Sequence, residues 1–287
     1  MGITMDRRRF NQLLALSLGA GISSTINSNA KVPVSENNLL PNASRPIMKL
    51  KAGEKKLHIT YLIFDGVTSL DFIGPSTALS KSLFNIDFVA KDKNPIFDDN
   101  GLGLIPTATF SDMKQTDILC VPGTANPYIQ IVKKDMIDWV AQIGQKASWV
   151  TSVCTGSFIL GAAGLLKGYK ATAHWTMIND LAYFGAIPTH ERIVKDRNRL
   201  TGGGITSGID FGLTLLATLK GIDIAQAIEL SMEYDPNPPF KTGSPRLAPA
   251  KIVEKEQKKF NQWLEMVTPN KEKILVEAAK QLGVTLD

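Results

Sequence analysis

The sequence predicts an α/β fold in which a mostly parallel sheet carries helices on both faces. Short runs rich in β-branched residues alternate along the chain with segments whose apolar residues recur every three or four positions. The runs are almost continuously apolar, as in "TDILCVPG" (116–123). A sheet with one exposed face would instead alternate apolar and polar residues. Together these patterns indicate strands joined by crossover helices.

Each element is predicted from its own local pattern. Apolar spacing of three and four residues favours helices, and Gly221 is expected to end the helix that begins near residue 206. Residues 192–204 predict a hairpin with Asp196-Arg197-Asn198 at its turn. The predicted strands are 57–64, 86–92, 116–123, 147–153 and 170–175, and the predicted helices lie within 69–83, 131–145, 156–166 and 206–221.

The first 30 residues have the pattern of an export signal. Arg7 and Arg8 belong to an RRxF sequence, a short apolar stretch follows, and small residues lead up to Ala30. This order is typical of a twin-arginine signal, and the apolar stretch is too short to span a membrane. An amphipathic helix of a cytoplasmic protein is the alternative. We expect periplasmic export, cleavage near Ala30, no stable membrane anchor, and a linker over residues 31–52.

The composition excludes several classes of protein. The 287 residues carry a net charge of +5 and include two cysteines and three histidines. Two cysteines are too few for a disulfide scaffold, and neither residue type shows the spacing of zinc ligands. The basic residues are scattered and not interleaved with aromatic ones, so no nucleic-acid partner is expected. We predict a protein that acts on a small molecule and needs neither a metal ion nor a cofactor.

Cys154 lies where a predicted strand meets a predicted helix. The helix N-terminus favours a thiolate, so a lowered pKa is expected, and the sharp turn should expose the side chain. Gly156 permits close backbone approach, and the N–H groups of the turn, with those at Gly123 and Thr124, are expected to bind developing negative charge. A buried structural cysteine is the alternative, and we prefer that interpretation for Cys120, inside an apolar strand.

A nucleophile of this kind needs a group that transfers protons. Asp71 follows the first predicted strand and stands between Leu70 and Phe72, where an apolar setting would raise the pKa of its carboxyl group. A helix N-cap is the alternative role for this aspartate. His174, at the end of the predicted strand 170–175, is a second candidate base and equally a candidate structural histidine.

Several long, collinear motifs resemble the PfpI-like superfamily, which has the class I glutamine amidotransferase-like fold. They are "LDFIGP", "VPGT", "TSVCTGSFILGAAGLLKGYKATAHW", "HERIVKDRNRLTGGGITSGIDFGLTL" and "EYDPNPPFKTGSP". Within the superfamily they are similar to the isonitrile hydratases, over about residues 57–250. The resemblance implies a flavodoxin-like three-layer sandwich with a catalytic domain over residues 53–250. Residues 251–287 lie outside the resemblance, and their lysine- and glutamate-rich sequence with helical spacing predicts a C-terminal helical tail.

The resemblance also implies roles for individual residues. It makes Cys154 the nucleophile, Asp71 the general acid and base, and Thr155 a hydrogen-bonding residue behind the nucleophile, with Gly204 and Ile205 beside the thiol. In related proteases and deglycases a histidine directly follows the cysteine and a glutamate occupies the early loop. Thr155 and Asp71 therefore argue against that chemistry. The implied reaction is hydration of an isonitrile to an N-substituted formamide.

Thr124 departs from the pattern, because the hydratases carry a glycine pair where this chain reads Gly123-Thr124. A side chain at this position can narrow the pocket or tilt the backbone donors. Two other functions stay open on the sequence alone. One is an exported ligand-binding or sensory protein, since regulators share the cysteine turn, and the other is a thiol-based stress or redox protein. The resemblance further implies a homodimer.

Overall fold

A computed structural model of the chain describes residue 50, residues 53–80 and residues 82–286. The predicted export signal and nearly all of the predicted linker fall on residues outside these ranges. The described residues surround one continuous cluster of buried apolar side chains, which come from the central strands and from the helices that cover them.

A seven-stranded sheet lies at the centre of the described chain. The strands in chain order are β1 (Leu57–Leu62), β2 (Phe84–Ala90), β3 (Ile96–Phe97), β4 (Gly103–Leu104), β5 (Ala108–Thr109), β6 (Ile118–Val121), β7 (Trp149–Val153), β8 (Lys170–Ala171), β9 (Ile187–Pro188), β10 (Ile193–Asp196) and β11 (Arg199–Gly202). The order across the sheet is β10-β11-β7-β6-β1-β2-β5, and only the β10–β11 pair is antiparallel. The predicted hairpin is confirmed as β10 and β11, with Arg197 at its turn in the left-handed region at φ 54°.

The central strands are buried on both faces of the sheet. All residues of β6 are buried, and in β7 every residue after Trp149 is buried, although neighbouring side chains point to opposite faces. Apolar strands of this kind are stable only when both faces are covered. The predicted mostly parallel α/β fold is therefore confirmed.

One predicted strand is much shorter than expected. The sequence favours a strand over 170–175, whereas β8 ends at Ala171 and pairs only with β9, outside the main sheet. The strand ends because the Thr172 N–H group donates to the Thr201 side-chain hydroxyl at 2.9 Å and not to a backbone carbonyl group of a neighbouring strand. His174 consequently lies in a loop and not at a strand end.

Two groups of helices flank the sheet. One group consists of α1 (Leu70–Ala78), α5 (Ser207–Lys220) and α6 (Ile222–Ser231), which pack together, and the other includes α4 (Gly156–Ala162) and the 3₁₀ helix (Ile178–Phe184), which contact each other. The helices are α1 (Leu70–Ala78), α2 (Tyr128–Ile131), α3 (Lys134–Lys146), α4 (Gly156–Ala162), a 3₁₀ helix (Ile178–Phe184), α5 (Ser207–Lys220), α6 (Ile222–Ser231), α7 (Ala250–Val267) and α8 (Lys271–Gln281). Gly221 ends α5 at φ 95°, as its sequence position predicts.

Helices α1 and α5 approach each other closely, and this contact fixes the start of α1. A Cβ atom at Gly212 would lie 2.9 Å from Pro75 Cα, and one at Gly208 would lie 3.0 Å from Pro75 Cδ. Side chains at these positions would push the helices apart. Since α1 carries Asp71 in its first turn, the two glycines of α5 help to set the depth of that carboxyl group.

The C-terminal helices α7 and α8 pack against the rest of the described chain. Leu264, Leu275 and Ala279 are buried, and Lys167 donates to the carbonyl oxygens of residues 282 and 283. None of the helices in the described ranges is long and apolar enough to cross a membrane.

Candidate active site

Three segments meet at the carboxyl ends of neighbouring parallel strands. Asp71 follows β1, the Gly123-Thr124 turn follows β6, and Cys154 follows β7. β1, β6 and β7 are adjacent in the sheet, and the chain reverses its strand order beside β1. Ligands of open α/β sheets bind at this kind of crevice. The fold thus brings the predicted nucleophile and the predicted acid together.

Cys154 occupies a strained turn between β7 and α4. Its φ angle is 57°, in the left-handed region that side chains other than glycine rarely adopt. The Cys154 N–H group donates to the Gly202 carbonyl oxygen at 3.0 Å, which fixes the turn. Close approach is also needed at Gly156, where a Cβ atom would lie 2.0 Å from the Val121 oxygen. This is the geometry of a nucleophile elbow.

The Cys154 thiol is buried, which differs from the exposed, acidic thiol that the sequence suggests. The residue is 4% exposed. Burial raises the pKa of the Cys154 thiol well above its usual range, and the charge of Asp71 raises that pKa further, while the Thr155 N–H group acts in the opposite direction. The prediction of a lowered pKa was wrong because it weighed the helix N-terminus without the desolvation of the thiol.

Asp71 is a buried carboxyl group next to the thiol. It is 1% exposed, and its Oδ2 atom accepts the Gly123 N–H group at 2.8 Å. Burial raises the pKa of Asp71 to about 8, against the Gly123 hydrogen bond, and the charge of Asp99 raises it as well. Asp71 and Cys154 are close enough to interact, since the charge of Asp71 raises the pKa of the Cys154 thiol and the thiol in turn lowers the pKa of Asp71. We refer to these two residues as the acid–thiol pair.

The two oxygens of Asp71 differ in their surroundings. Oδ2 is held by Gly123, whereas Oδ1 is buried and has no hydrogen-bond partner among the described residues. A buried carboxylate oxygen without a donor is costly, while a protonated one can itself donate. The arrangement, like the raised pKa, therefore favours a neutral carboxyl group over an ionised one. Asp71 is not a helix N-cap, since the N-cap of α1 is Ser69.

The Gly123-Thr124 turn holds the acid–thiol pair and is not free to hold a substrate. The Gly123 N–H group binds Asp71, and the Thr124 N–H group donates to the Thr155 hydroxyl at 2.8 Å. That hydroxyl in turn donates to the Thr124 carbonyl oxygen at 2.7 Å. The expectation that these two N–H groups bind developing negative charge is therefore wrong. They are already committed to positioning Asp71 and Thr155.

Gly123 cannot carry a side chain in this turn. A Cβ atom there would lie 2.6 Å from both the backbone nitrogen and the hydroxyl oxygen of Thr155, and 2.9 Å from Asp71 Oδ2. Thr124 is accommodated, since it is 5% exposed and only its backbone atoms bond to Thr155. The departure at Thr124 thus leaves the hydrogen bonds of the turn in place.

Gly204, Ile205 and His174 line a cavity of about 320 Å³ beside the acid–thiol pair. Neither Cys154 nor Asp71 is among its lining residues. The link between the two places is the segment after β11, because Gly202 binds the Cys154 N–H group and Gly203 and Gly204 line the cavity. The structure thus places these three predicted residues on a cavity whose wall continues along the chain from the residue that holds the Cys154 turn.

Two contacts that sequence reasoning missed support the turn from behind. The Asn126 amide donates to the Thr268 hydroxyl at 2.7 Å, and both side chains are buried. On the other side of the turn, the Thr68 N–H group donates to the Gly123 carbonyl oxygen at 2.9 Å. The position of Asn126 two residues after Thr124 could have drawn attention to it. Nothing local to Thr268 indicates its partner.

Within the described ranges, no group of three or more histidine, cysteine, aspartate or glutamate side chains is arranged to hold a metal ion. Cys120 is buried, and burial raises the pKa of its thiol to about 12. Thr151 donates a hydrogen bond to its sulfur atom at 3.1 Å. These surroundings agree with the interpretation of Cys120 as a core residue.

Comparison with known proteins agrees with the geometry. The chain is 45% identical to isonitrile hydratase of Pseudomonas putida over 204 residues, which cover 71% of this chain and 90% of that protein. It is 26% identical to the HTH-type transcriptional regulator CdhR of Pseudomonas aeruginosa, over 61% of this chain and 53% of the regulator. The chain thus spans about half the length of that relative.

Solved structures show the same architecture. A THiJ/PfpI family protein from Pseudomonas syringae superposes with a TM-score of 0.70 at 39% identity, covering 84% of this chain and 99% of that one. DJ-1 of Schizosaccharomyces pombe, with a TM-score of 0.53 at 18% identity over 61% of this chain and 98% of its own, shares the fold. Residues 57–218 match the DJ-1/PfpI family. The chain belongs to the DJ-1/PfpI family and has its flavodoxin-like α/β fold.

Proposed function

We propose that the protein hydrates an isonitrile to an N-substituted formamide. The observation that carries the proposal is the acid–thiol pair, a buried cysteine at an elbow that interacts with a buried carboxyl group whose pKa is raised to about 8. The 45% identity to an isonitrile hydratase supports the same reaction. Thr155 directly follows Cys154, at the position that a histidine occupies in the related proteases and deglycases, so this position lacks a residue of that chemistry.

The reaction starts from the pair with one proton. When that proton lies on Asp71, Cys154 is a thiolate, and its sulfur attacks the terminal carbon of R–N≡C. Asp71 gives its proton to the same carbon as the C–S bond forms. The product is a covalent thioimidate, R–N=CH–S–Cys154, beside an ionised Asp71. Both groups need to be close and shielded from water, as their burial provides.

Hydrolysis of the thioimidate returns both groups to their first state. Asp71 takes a proton from water, the hydroxide adds to the carbon, and Asp71 passes the proton to the nitrogen. The new O–H group then gives its proton to Asp71 as the C–S bond breaks. R–NH–CHO leaves, Cys154 is again a thiolate, and Asp71 is again protonated. One water molecule is consumed and no electrons are exchanged, so no cofactor is required.

The test is turnover of cyclohexyl isonitrile, followed as loss of isonitrile and gain of formamide. We expect Cys154→Ala to abolish turnover and Asp71→Asn to remove most of it. Cys120→Ala is the matched control, since it removes the other thiol and should keep the activity. Formamide production that survives in Cys154→Ala would contradict the mechanism. Absence of turnover in folded wild-type protein, across several isonitriles, would favour a binding role.

The burial of Cys154 also bears on the redox alternative. Oxidation by peroxide requires an exposed thiolate, whereas this thiol is 4% exposed and its pKa is raised. We therefore expect mass spectrometry to show a substrate adduct on Cys154 and no sulfenic or sulfinic acid at low peroxide. Oxidation of Cys154 at low peroxide would instead support a stress function.

We propose further that residues 1–30 direct export by the twin-arginine route, on the pattern of the sequence alone. A reporter fused after Ala30 should reach the periplasm, and Arg7→Lys together with Arg8→Lys should prevent that. Retained export of the double variant would contradict the proposal. For the proposed homodimer, the measurement is the molar mass of the mature protein by light scattering.

A further inference from the structure

The cavity beside the acid–thiol pair has the size of a small-molecule site. Its volume of about 320 Å³ lies at the lower end of the range for ligand pockets. Its walls are formed by four segments, namely 172–175, 190–192, 203–206 and 243–246, together with Ile178. The third of these directly follows the residue that binds the Cys154 N–H group. The cavity wall is therefore continuous along the chain with the residue that holds the Cys154 turn.

The charged side chains of the cavity wall are already paired. Arg192 forms an ion pair with Asp210 and donates to the Thr206 carbonyl oxygen at 3.0 Å. Arg246 pairs with Glu191 at 3.1 Å. A charged substituent would therefore meet no unpaired arginine or glutamate on the wall. The wall thus favours a substituent without charge, and Ala173 and Ile178 supply buried apolar surface for it.

His174 presents a hydrogen-bond donor that the protein does not use. The Thr176 N–H group donates to His174 Nδ1 at 3.4 Å, and the Thr176 hydroxyl lies 2.8 Å from the same nitrogen. Nδ1 is therefore an acceptor, which places the proton of the neutral ring on Nε2. Burial lowers the pKa of His174, so the ring is neutral. Among the described residues, no hydrogen-bond partner is found for Nε2.

We infer that the cavity binds the substituent of a neutral isonitrile, and that His174 Nε2–H donates to an acceptor atom, such as an ether or carbonyl oxygen, within that substituent. The inference rests on the proposed function. It makes His174 a residue for substrate recognition and not the general base that the sequence left open, because Nδ1 is held by Thr176 and Nε2 carries a proton. Ile205 and the apolar wall bind the hydrocarbon part.

Two matched substrates test the inference. Tetrahydropyran-4-yl isonitrile and its 3-yl isomer differ from cyclohexyl isonitrile by one ring oxygen in place of a methylene. We compare kcat/KM for the three compounds in wild-type protein, in His174→Phe, which lacks a donor, and in His174→Gln, which keeps one. The preference for an oxygen-containing ring over cyclohexyl should fall about 3- to 10-fold in His174→Phe, the range of one neutral hydrogen bond. His174→Gln should retain part of it.

The outcomes separate this inference from the proposed function. Turnover of all three compounds, with a preference that His174→Phe does not change for either isomer, would overturn the inference and leave the reaction intact. A carboxylate-bearing isonitrile that reacts faster than the neutral ones would also overturn it. If no isonitrile reacts, calorimetry of the corresponding formamides with Cys154→Ala, with and without His174→Phe, gives the answer. A 3- to 10-fold difference in affinity that depends on His174 would support the cavity assignment, and equal affinities would refute it.

Discussion

Replacement of Asp71 by asparagine should stabilise the protein while it removes the activity. The carboxyl group is 1% exposed, and its pKa is raised from 3.8 to about 8 by burial. Near neutral pH the folded protein therefore keeps Asp71 protonated, whereas the unfolded chain ionises it. Unfolding releases a proton, so this residue lowers the stability of the folded state as the pH rises. Asparagine has nearly the same shape as a protonated aspartate and cannot ionise in either state.

The size of the effect follows from the two pKa values. Each pH unit between 3.8 and about 8 lowers the free energy of unfolding by about 1.4 kcal/mol. Below pH 3.8 Asp71 is protonated in both the folded and the unfolded state and does not lower the stability. The cost to the folded state then grows as the pH rises to about 8. At pH 7 the native aspartate costs about 4 kcal/mol relative to a group that does not titrate. Imperfect hydrogen bonds of the asparagine amide would offset about 1–2 kcal/mol of that gain.

Urea unfolding at several pH values measures this directly. The difference in unfolding free energy between Asp71→Asn and wild-type should grow by about 2–3 kcal/mol from pH 5 to pH 7. Any difference in packing between the two side chains is independent of pH and does not change this slope. Asp98→Asn is a control of opposite sign, because interaction with the Ser69 side chain and hydrogen bonds from the Leu102 and Asn100 N–H groups lower the pKa of Asp98. Asp98→Asn should lower the free energy of unfolding near pH 7, and this difference from wild-type should disappear in acid. A pH-independent difference for Asp71→Asn would refute the buried, protonated carboxyl group.

Four further outcomes are expected. In a pH-rate profile, kcat/KM should rise about tenfold per unit below pH 8 and then level off, since the acid–thiol pair must lose its first proton to become reactive; a profile that falls through pH 8 would contradict this order. Cys154→Gly should be about 1 kcal/mol more stable to urea than Cys154→Ala, because position 154 has φ 57°, and equal stability would remove the argument for strain. Gly123→Ala should lower kcat about 100-fold by displacing the turn, whereas Gly103→Ala, with its nearest contact at 3.5 Å, should not. Thr268→Val should lower the unfolding free energy by about 1–3 kcal/mol by leaving the Asn126 amide without its partner, and an unchanged urea midpoint would speak against that bond.

Much of the site could be predicted because its signals are local. The β-branched run before Cys154, the following Thr155-Gly156 and the small residues after them predict a strand, a turn and a helix within a few positions. Asp71 between apolar neighbours likewise predicts a buried carboxyl group. Both predictions depend on residues next to each other along the chain, and the structure places both side chains at the same edge of the sheet.

The predictions that failed concern contacts between distant segments. The pKa of Cys154 was expected to fall because the helix end is visible in the sequence, while the burial of the thiol is not. The Gly123 and Thr124 N–H groups looked free, since their partners Asp71 and Thr155 lie 52 and 31 residues away. Strand β8 ended early for the same reason, because Thr201 competes for a backbone donor from another part of the chain.

The hydrogen bond between Asn126 and Thr268 joins residues 142 positions apart, and it has a consequence for the order of folding. Contacts of such high sequence separation form slowly, because a long loop must close before any contact energy compensates the lost chain entropy. The sheet, with the bonds from Asp71, Thr155 and Thr68 to the Gly123-Thr124 turn, can assemble before α7 and α8 dock, but Asn126 has no partner until they do. We therefore expect α7 and α8 to gain amide protection after the central strands during refolding, so that the sheet forms before the last support of the loop after β6 is in place.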